Sequence, residues 1–367
     1  MSYISCCASI MFTAKVAGVG CAIGICKNMN LSDHQIPQLD LSGFDAGGSE
    51  RAAFLSELRT AAHEVGFFYL VGHRIEPTLL RDLLDVTRCF FALPEAEKLA
   101  IEMVHSPHFR GYTRIASEIT RERRDWREQI DIGAERLAIP AQSGSPAWTR
   151  LQGPNQWPAK LPALRPVVLR WQDVGAEVIG RLLRAFGLAL GQPEDALDSI
   201  YRDDPHVLVK LIRYPGRDAT DGDQGVGAHK DAGLLTLLLQ DEQAGLQVQS
   251  QGGWVDVAPR AGSLVVNIGE LLELASDGYL RATLHRVISP PAGTERYSAA
   301  FFLSARLDAT VPVLPLPSAL AAKAPGPERD PSNPLHREVG QNQLKGRLRS
   351  HPDVAQRHYA DLLASAD

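Results

Sequence analysis

The sequence predicts a mainly β protein with flanking helices, in which a helical first part precedes a jelly roll or barrel. Two observations indicate this class. From about residue 206 onward, short runs rich in β-branched and aromatic residues follow one another closely, and Gly, Pro, Asp or Asn separates most of them. Before that point, apolar residues recur mainly at the three- and four-residue spacing of a helix.

The first part is predicted to alternate short strands with helices. Residues 35–41 alternate apolar and polar side chains as a short strand does, and residues 49–65 carry apolar residues at helical spacing. Residues 66–73 form an aromatic and β-branched run that is typical of a buried strand. Pro77 and Pro94 each stand at the start of a further predicted helix.

The strongest helical pattern covers residues 159–190 and predicts one long helix packed on a sheet. After Pro312 the chain is rich in proline, and it ends in a predicted polar helix around residues 352–365. Between these parts the predicted strands are residues 206–214, 234–240, 246–249, 254–257, 263–268, 282–288 and 296–305.

These elements divide the chain into four predicted regions. Residues 1–33 are an extension that we expect to be disordered or spurious, and residues 34–160 form an α/β region. Residues 161–310 form the β core preceded by the long helix, and residues 311–367 form a tail with a helix.

The extension is small and apolar over residues 1–28 but does not match a membrane span. Its apolar run from Val16 to Cys26 is far shorter than the roughly 20 residues that cross a bilayer. A secretory signal carries basic residues ahead of its apolar stretch, whereas the first basic residue here is Lys15. A dispensable tail and a cleaved signal remain the alternatives.

Composition favours a cytoplasmic protein that binds neither nucleic acid nor membranes. The net charge is −5 and no long basic run is present, so nothing attracts a polyanion. A secreted disulfide framework would spread cysteines through the folded domain, but only Cys89 lies in the body of the chain. The other four are confined to the extension: Cys6, Cys7, Cys21 and Cys26.

Three residues have the types and placement of a metal site. His229 and Asp231 are two positions apart, and His285 lies in a later predicted strand. Two imidazoles and one carboxylate form the facial triad that holds non-haem Fe(II) with open coordination positions. The first two follow a Gly-rich segment, residues 221–227, which we interpret as a loop leading into a strand. At the start of that strand, positions i and i+2 project to the same side.

Arg296 and Ser298 form a second predicted site, because residues two apart share one face of a strand. A guanidinium and a hydroxyl suit the carboxylate of an organic acid lying beside the metal. Since a turn at residues 290–293 joins the strands of His285 and Arg296, we expect these strands to be adjacent and antiparallel. A hydrolytic zinc site is the alternative, but it would not need the Arg–Ser pair.

The chain resembles the isopenicillin N synthase-like family of Fe(II)/2-oxoglutarate-dependent oxygenases, over roughly residues 34–310. It matches the order and spacing of that family's His-x-Asp, His and Arg-x-Ser residues. Further blocks in its first half are Ile36-Pro37, Gly66-Phe-Phe-Tyr69, Phe90-Phe-Ala-Leu-Pro94, Phe109-Arg-Gly-Tyr112 and Asp125-Trp-Arg-Glu128. The resemblance implies a double-stranded β-helix, which is a form of the jelly roll.

The resemblance also implies a role for each site residue. Arg296 and Ser298 would bind the distal carboxylate of the cosubstrate 2-oxoglutarate, and Tyr214 would contact the same molecule. An Asn that many relatives carry two residues before this tyrosine is Ile212 here. The implied reaction uses O2 to hydroxylate, desaturate or cyclise a small-molecule substrate, with release of succinate and CO2. The implied Fe(II) ligands are His229, Asp231 and His285.

Other reactions remain open. Glu118-Ile-Thr120 resembles a run in the bacterial ethylene-forming enzymes, but the residue after their His-x-Asp is aromatic, and here it is Ala232. A synthase-type oxidase that uses no 2-oxoglutarate carries the same Arg-x-Ser, and a metal-binding scaffold without activity is the non-enzymatic alternative. Candidate substrate residues are Glu118 and Thr120 at the mouth of the site and Arg349 in the tail. The sequence names neither the metabolite nor the oligomeric state.

Overall fold

The computed structural model describes residues 36–363 apart from residues 141, 143, 329, 330 and 332. The predicted extension, residues 1–33, lies outside the described residues. Within them the predicted fold class is confirmed, because two sheets face each other as a jelly roll and helices flank the larger one. None of the helices in this described part has the length and apolar character needed to cross a membrane.

Fourteen strands form in the described part of the chain. In order they are β1 (Gln38–Asp40), β2 (Phe67–Val71), β3 (Gly111–Thr113), β4 (Ile119–Thr120), β5 (Arg123–Arg124), β6 (Glu128–Gly133), β7 (His206–Tyr214), β8 (Gln224–His229), β9 (Leu235–Gln240), β10 (Leu246–Ser250), β11 (Gly253–Asp256), β12 (Leu264–Ile268), β13 (His285–Ile288) and β14 (Arg296–Ser304). The large sheet has the order β1-β2-β12-β9-β14-β7-β6-β3, and the small sheet has the order β11-β10-β13-β8. Strands β4 and β5 form a separate hairpin.

The helices of the described residues are α1 (Ser42–Ala46), α2 (Gly48–Glu64), α3 (Pro77–Phe91), α4 (Glu95–Leu99), α5 (Leu164–Ala189), α6 (Asp198–Tyr201), α7 (Glu270–Ala275), α8 (Ser318–Ala321), α9 (Val339–Ser350), α10 (Pro352–His358) and α11 (Ala360–Leu363). The long helix α5 packs on the outer face of the large sheet, as predicted, and buries Trp171 completely. Gly175 allows α5 to approach the sheet closely, since a Cβ at this position would lie 2.7 Å from the Phe301 ring of β14.

The two faces of the large sheet have different roles. Its outer face joins the helices in the main apolar core, to which Val209, Leu211 and Phe301 belong. Its inner face and the small sheet enclose a second, smaller apolar cluster that includes Ile212 and Tyr214. Because directly opposed residues on antiparallel strands project to one face, the register of these strands determines which side chains line this interior.

The prediction of a loop over residues 221–227 was wrong for its second half. Residues from Gln224 onward form β8, an edge strand of the small sheet. A Cβ on Gly225 would lie 2.9 Å from the Tyr214 ring, and a Cβ on Gly227 would lie 2.9 Å from Thr120. These glycines therefore permit close packing of a strand and do not mark a loop.

The expected pairing of the strands of His285 and Arg296 was also wrong. Strand β13 pairs with β10 and β8, whereas β14 pairs with β7 and β9. The chain crosses from the small sheet to the large sheet between them. A short connection between two strands is compatible with either a hairpin or such a crossing, so the turn at residues 290–293 did not distinguish them.

The end of the chain differs from the predicted single helix at residues 352–365. Over the described part of this stretch, residues 352–363, two short helices form, α10 and α11, and the longer α9 precedes them. Pro352 begins α10, where its missing N–H costs nothing, and it separates α10 from α9.

Candidate active site

The three predicted metal ligands lie together between the two sheets. His229 is the last residue of β8, Asp231 follows in the turn towards β9, and His285 begins β13 directly opposite His229. The Nε2 atoms of both histidines lie 3.6 Å from Oδ1 of Asp231. One ligand atom from each residue falls within 4.8 Å of the others. Asp231 therefore reaches the site from a turn, and not from the start of a strand as predicted.

Hydrogen bonds orient each of the three ligand atoms. Nδ1 of His229 lies 2.9 Å from the carbonyl of Gly227, and Nδ1 of His285 lies 3.1 Å from the carbonyl of Thr283. A carbonyl only accepts, so Nδ1 carries the hydrogen and the lone pair of Nε2 points towards the other ligands.

The carboxylate of Asp231 is oriented in the same way. Oδ2 accepts hydrogen bonds from the Thr236 hydroxyl at 2.6 Å and from the Asn267 amide at 2.7 Å. Oδ1 is left facing the two imidazoles. Thr236 and Asn267 are directly opposed on β9 and β12, so the pairing of these strands positions the carboxylate.

The electrostatics of the triad suit a divalent metal ion. Burial and the neighbouring His285 lower the pKa of His229, which keeps this ring neutral at neutral pH. Burial alone would raise the pKa of Asp231, but the two imidazoles and the bonds from Asn267 and Thr236 lower it. Two neutral imidazoles and one carboxylate are the donor set of non-haem iron centres, so the residues present fit Fe(II).

Replacing Thr236 with valine is expected to weaken Fe(II) binding about 10- to 100-fold, as is usual when an outer-shell partner of a ligand is lost. Valine keeps the shape of threonine but removes the 2.6 Å hydrogen bond that orients Asp231. The dissociation constant can be measured by anaerobic titration of metal-free protein. Thr87→Val is a matched control, because that buried hydroxyl bonds only the Leu83 carbonyl of α3. Equal affinities in the two variants would contradict the role of Thr236.

Arg296 lies buried beside this triad without a carboxylate partner. It is fully buried, one terminal nitrogen donates to the Gln240 side chain at 2.8 Å, and the other lies 3.5 Å from the Ser298 hydroxyl. The guanidinium carbon lies 4.9 Å from the centre of the Tyr214 ring. In the described part of the chain, Arg296 forms no ion pair within 4 Å, its charge acts at longer range on the buried Asp241 carboxylate, and its Nε has no hydrogen-bond partner. A buried, unpaired guanidinium is costly, so this site fits the carboxylate of a ligand.

The carboxylate-binding site at Arg296 and the metal site are close together. A Cβ on Gly245 would meet the Arg296 side chain at 3.4 Å and the Val287 side chain at 3.6 Å, so Arg296 packs near Val287. Val287 follows His285 by two residues on the same strand face, which corresponds to about 7 Å. A short dicarboxylic acid could therefore contact Arg296 and the metal site at once.

The three candidate substrate residues lie in different surroundings. Glu118 is buried in ion pairs with Arg127 at 2.5 Å and Lys210 at 3.1 Å. Thr120 donates to the buried Asp125 carboxylate at 2.7 Å. Arg349 is exposed on α9. The structure thus brings Glu118 and Thr120 to the interior and leaves Arg349 outside.

Other polar residues of this interior were not predicted from the sequence. Gln129 and Asp131 alternate with Ile130 and Ile132, which indicates a strand with one polar face, and Arg127 precedes them at the same spacing. Arg347 of α9 points into the same interior and donates to the Asp131 carboxylate at 2.7 Å. The alternation could have been recognised, but a polar face on a strand usually means exposure to water, and here it is buried.

A jelly roll with two imidazoles and a carboxylate between its sheets is typical of the non-haem iron oxygenases. Comparison with known families agrees. Residues 36–160 match the family described as non-haem dioxygenase in morphine synthesis N-terminal, and residues 203–305 match the 2OG-Fe(II) oxygenase superfamily. The chain belongs to the 2OG-Fe(II) oxygenase superfamily and is of its isopenicillin N synthase-like type.

Individual relatives span most of the chain. The 2-oxoglutarate-dependent dioxygenase frbJ of Dothideomycetidae sp. (strain 11243) is 35% identical and covers 91% of this chain and 95% of its own length. A homoarginine-6-hydroxylase of Arabidopsis thaliana is 36% identical over 71% of this chain and 79% of its own. The solved structure of a full-length Neurospora crassa protein in complex with alpha-KG has a TM-score of 0.68 at 25% identity, covering 84% and 96% of the two chains. The predicted enzyme class, an Fe(II)- and 2-oxoglutarate-dependent dioxygenase, is confirmed.

Proposed function

We propose that this enzyme hydroxylates a small polar metabolite. His229, Asp231 and His285 would hold Fe(II), and Arg296 with Ser298 and Tyr214 would hold 2-oxoglutarate. The observation that carries the proposal is the fully buried guanidinium of Arg296, which has no carboxylate partner among the described residues and packs near the strand of His285. When bound, iron and 2-oxoglutarate supply the oxidation, in which one oxygen atom of O2 goes to succinate, with loss of CO2, and the other to the substrate.

The protein's own contribution is to orient these groups and to keep water away. The carbonyls of Gly227 and Thr283 fix the imidazoles, and Thr236 and Asn267 fix the carboxylate. Exclusion of water strengthens the attraction between Arg296 and a bound carboxylate. The apolar side chains around the site include Tyr69, Val226, Leu246, Val248, Val265 and Val287.

Hydroxylation is supported over ethylene formation and ring closure by the relatives. The Arabidopsis thaliana relative described above is named for a hydroxylation of homoarginine, a small polar molecule. The polar and charged residues of the β6 face suit a substrate of this kind better than an apolar one. A small-molecule substrate in the cytoplasm, without a nucleic-acid or membrane partner, completes the proposal.

The proposal is tested by anaerobic titration of metal-free protein, first with Fe(II) and then with 2-oxoglutarate. We expect the visible charge-transfer band of a keto acid chelated to Fe(II), followed by succinate release when O2 is admitted. If iron binds but no band develops, synthase-type chemistry without a keto acid would replace the proposal. If iron does not bind, the assignment of the three ligands would be wrong.

A further inference from the structure

Buried polar atoms without hydrogen-bond partners lie on the inner face of β6 and beside it. Gln129 is completely buried, and its amide nitrogen donates to the Asp131 carboxylate at 2.9 Å. Because that bond fixes the orientation of the amide, the Gln129 oxygen must be the free acceptor. Among the described residues, this oxygen, Nε of Arg127 and Nε2 of His351 have no hydrogen-bond partner. Buried polar atoms without hydrogen-bond partners are rare in folded proteins, and they indicate a ligand that supplies the missing hydrogen bonds.

These atoms face the same interior as the proposed 2-oxoglutarate site. Four residues on neighbouring strands are opposed in turn. Gln129 of β6 lies opposite Ile212 of β7, and Ile212 lies opposite Ser298 of β14. Ser298 in turn lies opposite Gln240 of β9. Opposed residues share one face, so the Gln129 side chain lies in one row with the two residues that contact Arg296.

The other end of this polar face adjoins the metal ligands. Asp125 lies two residues before Arg127, is completely buried and accepts a hydrogen bond from the Gly227 N–H at 3.0 Å. The carbonyl of the same Gly227 bonds the His229 ring. A ligand bound between Gln129 and Arg127 would therefore lie beside both the metal and the cosubstrate.

Most of the charged groups around these atoms are paired, and the buried Arg110, whose charge interacts with that of Asp131, donates to backbone carbonyls. Three cations, Arg127, Lys210 and Arg347, lie among three buried carboxylates, and each cation is within 4 Å of at least one carboxylate. Burial lowers the pKa of His351 to about 4, so this ring is neutral at neutral pH and adds no charge. A ligand with an adjacent donor and acceptor would satisfy both the Gln129 oxygen and the hydrogen on Nε of Arg127, whereas a lone carboxylate has no hydrogen to donate to the Gln129 oxygen. The three carboxylates are Glu118, Asp125 and Asp131.

We propose that Arg127 and Gln129 form a substrate subsite, which takes a compound with an N–H donor next to an oxygen acceptor. The donor bonds the Gln129 oxygen, and the acceptor takes the hydrogen on Nε of Arg127. An α-amino acid head group and the imide edge of a pyrimidine both present this pair of groups. The inference rests on the proposed function and names the class of its substrate.

The experiment uses the full-length enzyme loaded anaerobically with Fe(II) and 2-oxoglutarate. Three probes are titrated while the charge-transfer band is followed: L-homoarginine as the amino acid, thymine as the imide, and indole-3-acetate as a carboxylate without an adjacent N–H. We expect at least one of the first two to perturb the band and to accelerate succinate release, and the third to do neither. A response to homoarginine alone would indicate that the subsite binds an amino acid head group. A response to thymine alone would indicate that it binds the imide edge of a pyrimidine.

The variant Gln129→Met, which replaces the amide with an apolar group of similar length, should raise the dissociation constant of the effective probe about tenfold, the cost of one buried hydrogen bond. Gln172→Met is the matched control, because that buried amide bonds the Gly133 carbonyl at the end of β6 from the side of α5. Its probe affinity should stay within about twofold of wild type. Arg127→Lys, which keeps the charge but moves the donor, should weaken the probe as Gln129→Met does.

Failure of this proposal is separable from failure of the proposed function. The charge-transfer band forms before any probe is added, so its absence contradicts the proposed function itself. If the band forms but neither donor–acceptor probe perturbs it, the subsite proposal is overturned. It is also overturned if indole-3-acetate binds more tightly than both, or if Gln129→Met and Arg127→Lys bind the effective probe as wild type does.

Discussion

Replacing Asp231 with alanine is expected to reduce 2-oxoglutarate turnover to less than about 1% of wild type, because losing a ligand costs more than the 10- to 100-fold loss of an outer-shell partner. The side chain supplies the only carboxylate of the triad, and its Oδ1 lies 3.6 Å from Nε2 of both histidines. Without it, two imidazoles would remain, and they would bind Fe(II) weakly.

The measurement is succinate release by the purified variant at saturating Fe(II) and 2-oxoglutarate, alongside the iron dissociation constant. Asp198→Ala serves as the control, since that carboxylate, at the start of α6, forms an ion pair with Arg202 just after the helix. The control should turn over 2-oxoglutarate as wild type does. Turnover near the wild-type rate in purified Asp231→Ala would remove the iron assignment.

Replacing Arg296 with alanine is expected to raise the dissociation constant of 2-oxoglutarate about 100-fold or more, which is typical when one partner of a buried, hydrogen-bonded charge pair is removed. Fe(II) affinity should be retained, because Arg296 contacts Gln240, Ser298 and Tyr214 and none of the three ligands. The stability of the substrate-free protein should not fall by the same amount, because the variant also removes an unpaired buried charge.

The charge-transfer band measures this loss directly, at increasing 2-oxoglutarate and constant Fe(II). Arg286→Ala is the matched control. Arg286 follows His285 in sequence but bonds Gln247 and stacks on Trp254. If Arg296→Ala bound 2-oxoglutarate as tightly as Arg286→Ala, the cosubstrate would have to bind elsewhere.

The residues of the candidate site could be predicted because few residue types perform this chemistry. Two histidines and an aspartate suit iron, and an arginine with a serine two residues away suits a carboxylate. The long helix at residues 159–190 was equally accessible, since its apolar spacing is regular. Structure and sequence agree where a local pattern determines the result.

The spatial relations between these residues could not be predicted. The sequence does not state that β13 and β14 belong to different sheets, because the connection at residues 290–293 is short enough for either arrangement. The glycines of β8 were interpreted as a loop, since a glycine that makes room for Tyr214 or Thr120 looks in sequence like one that makes a turn. Both errors concern which segments pack together, and the true partners of these strands are distant in sequence.

The substrate side of the interior was hidden for a related reason. Gln129 is significant only because strand register aligns it with Ser298 and Gln240, and His351 only because the tail folds back over the sheet. Neither residue belongs to a recognisable motif. Glu118 and Thr120 were identified by resemblance, but the structure alone shows that Glu118 is already paired with Arg127 and Lys210.

The contact of Arg347 with Asp131 has a consequence for how such enzymes diverge. Helix α9 carries this arginine into the interior, yet the helix lies outside both family-matching stretches, residues 36–160 and 203–305. One wall of the interior is thus built from a part of the chain that neither family-matching stretch includes. A substitution in α9 would therefore alter this wall of the interior while leaving every candidate iron and cosubstrate residue in place.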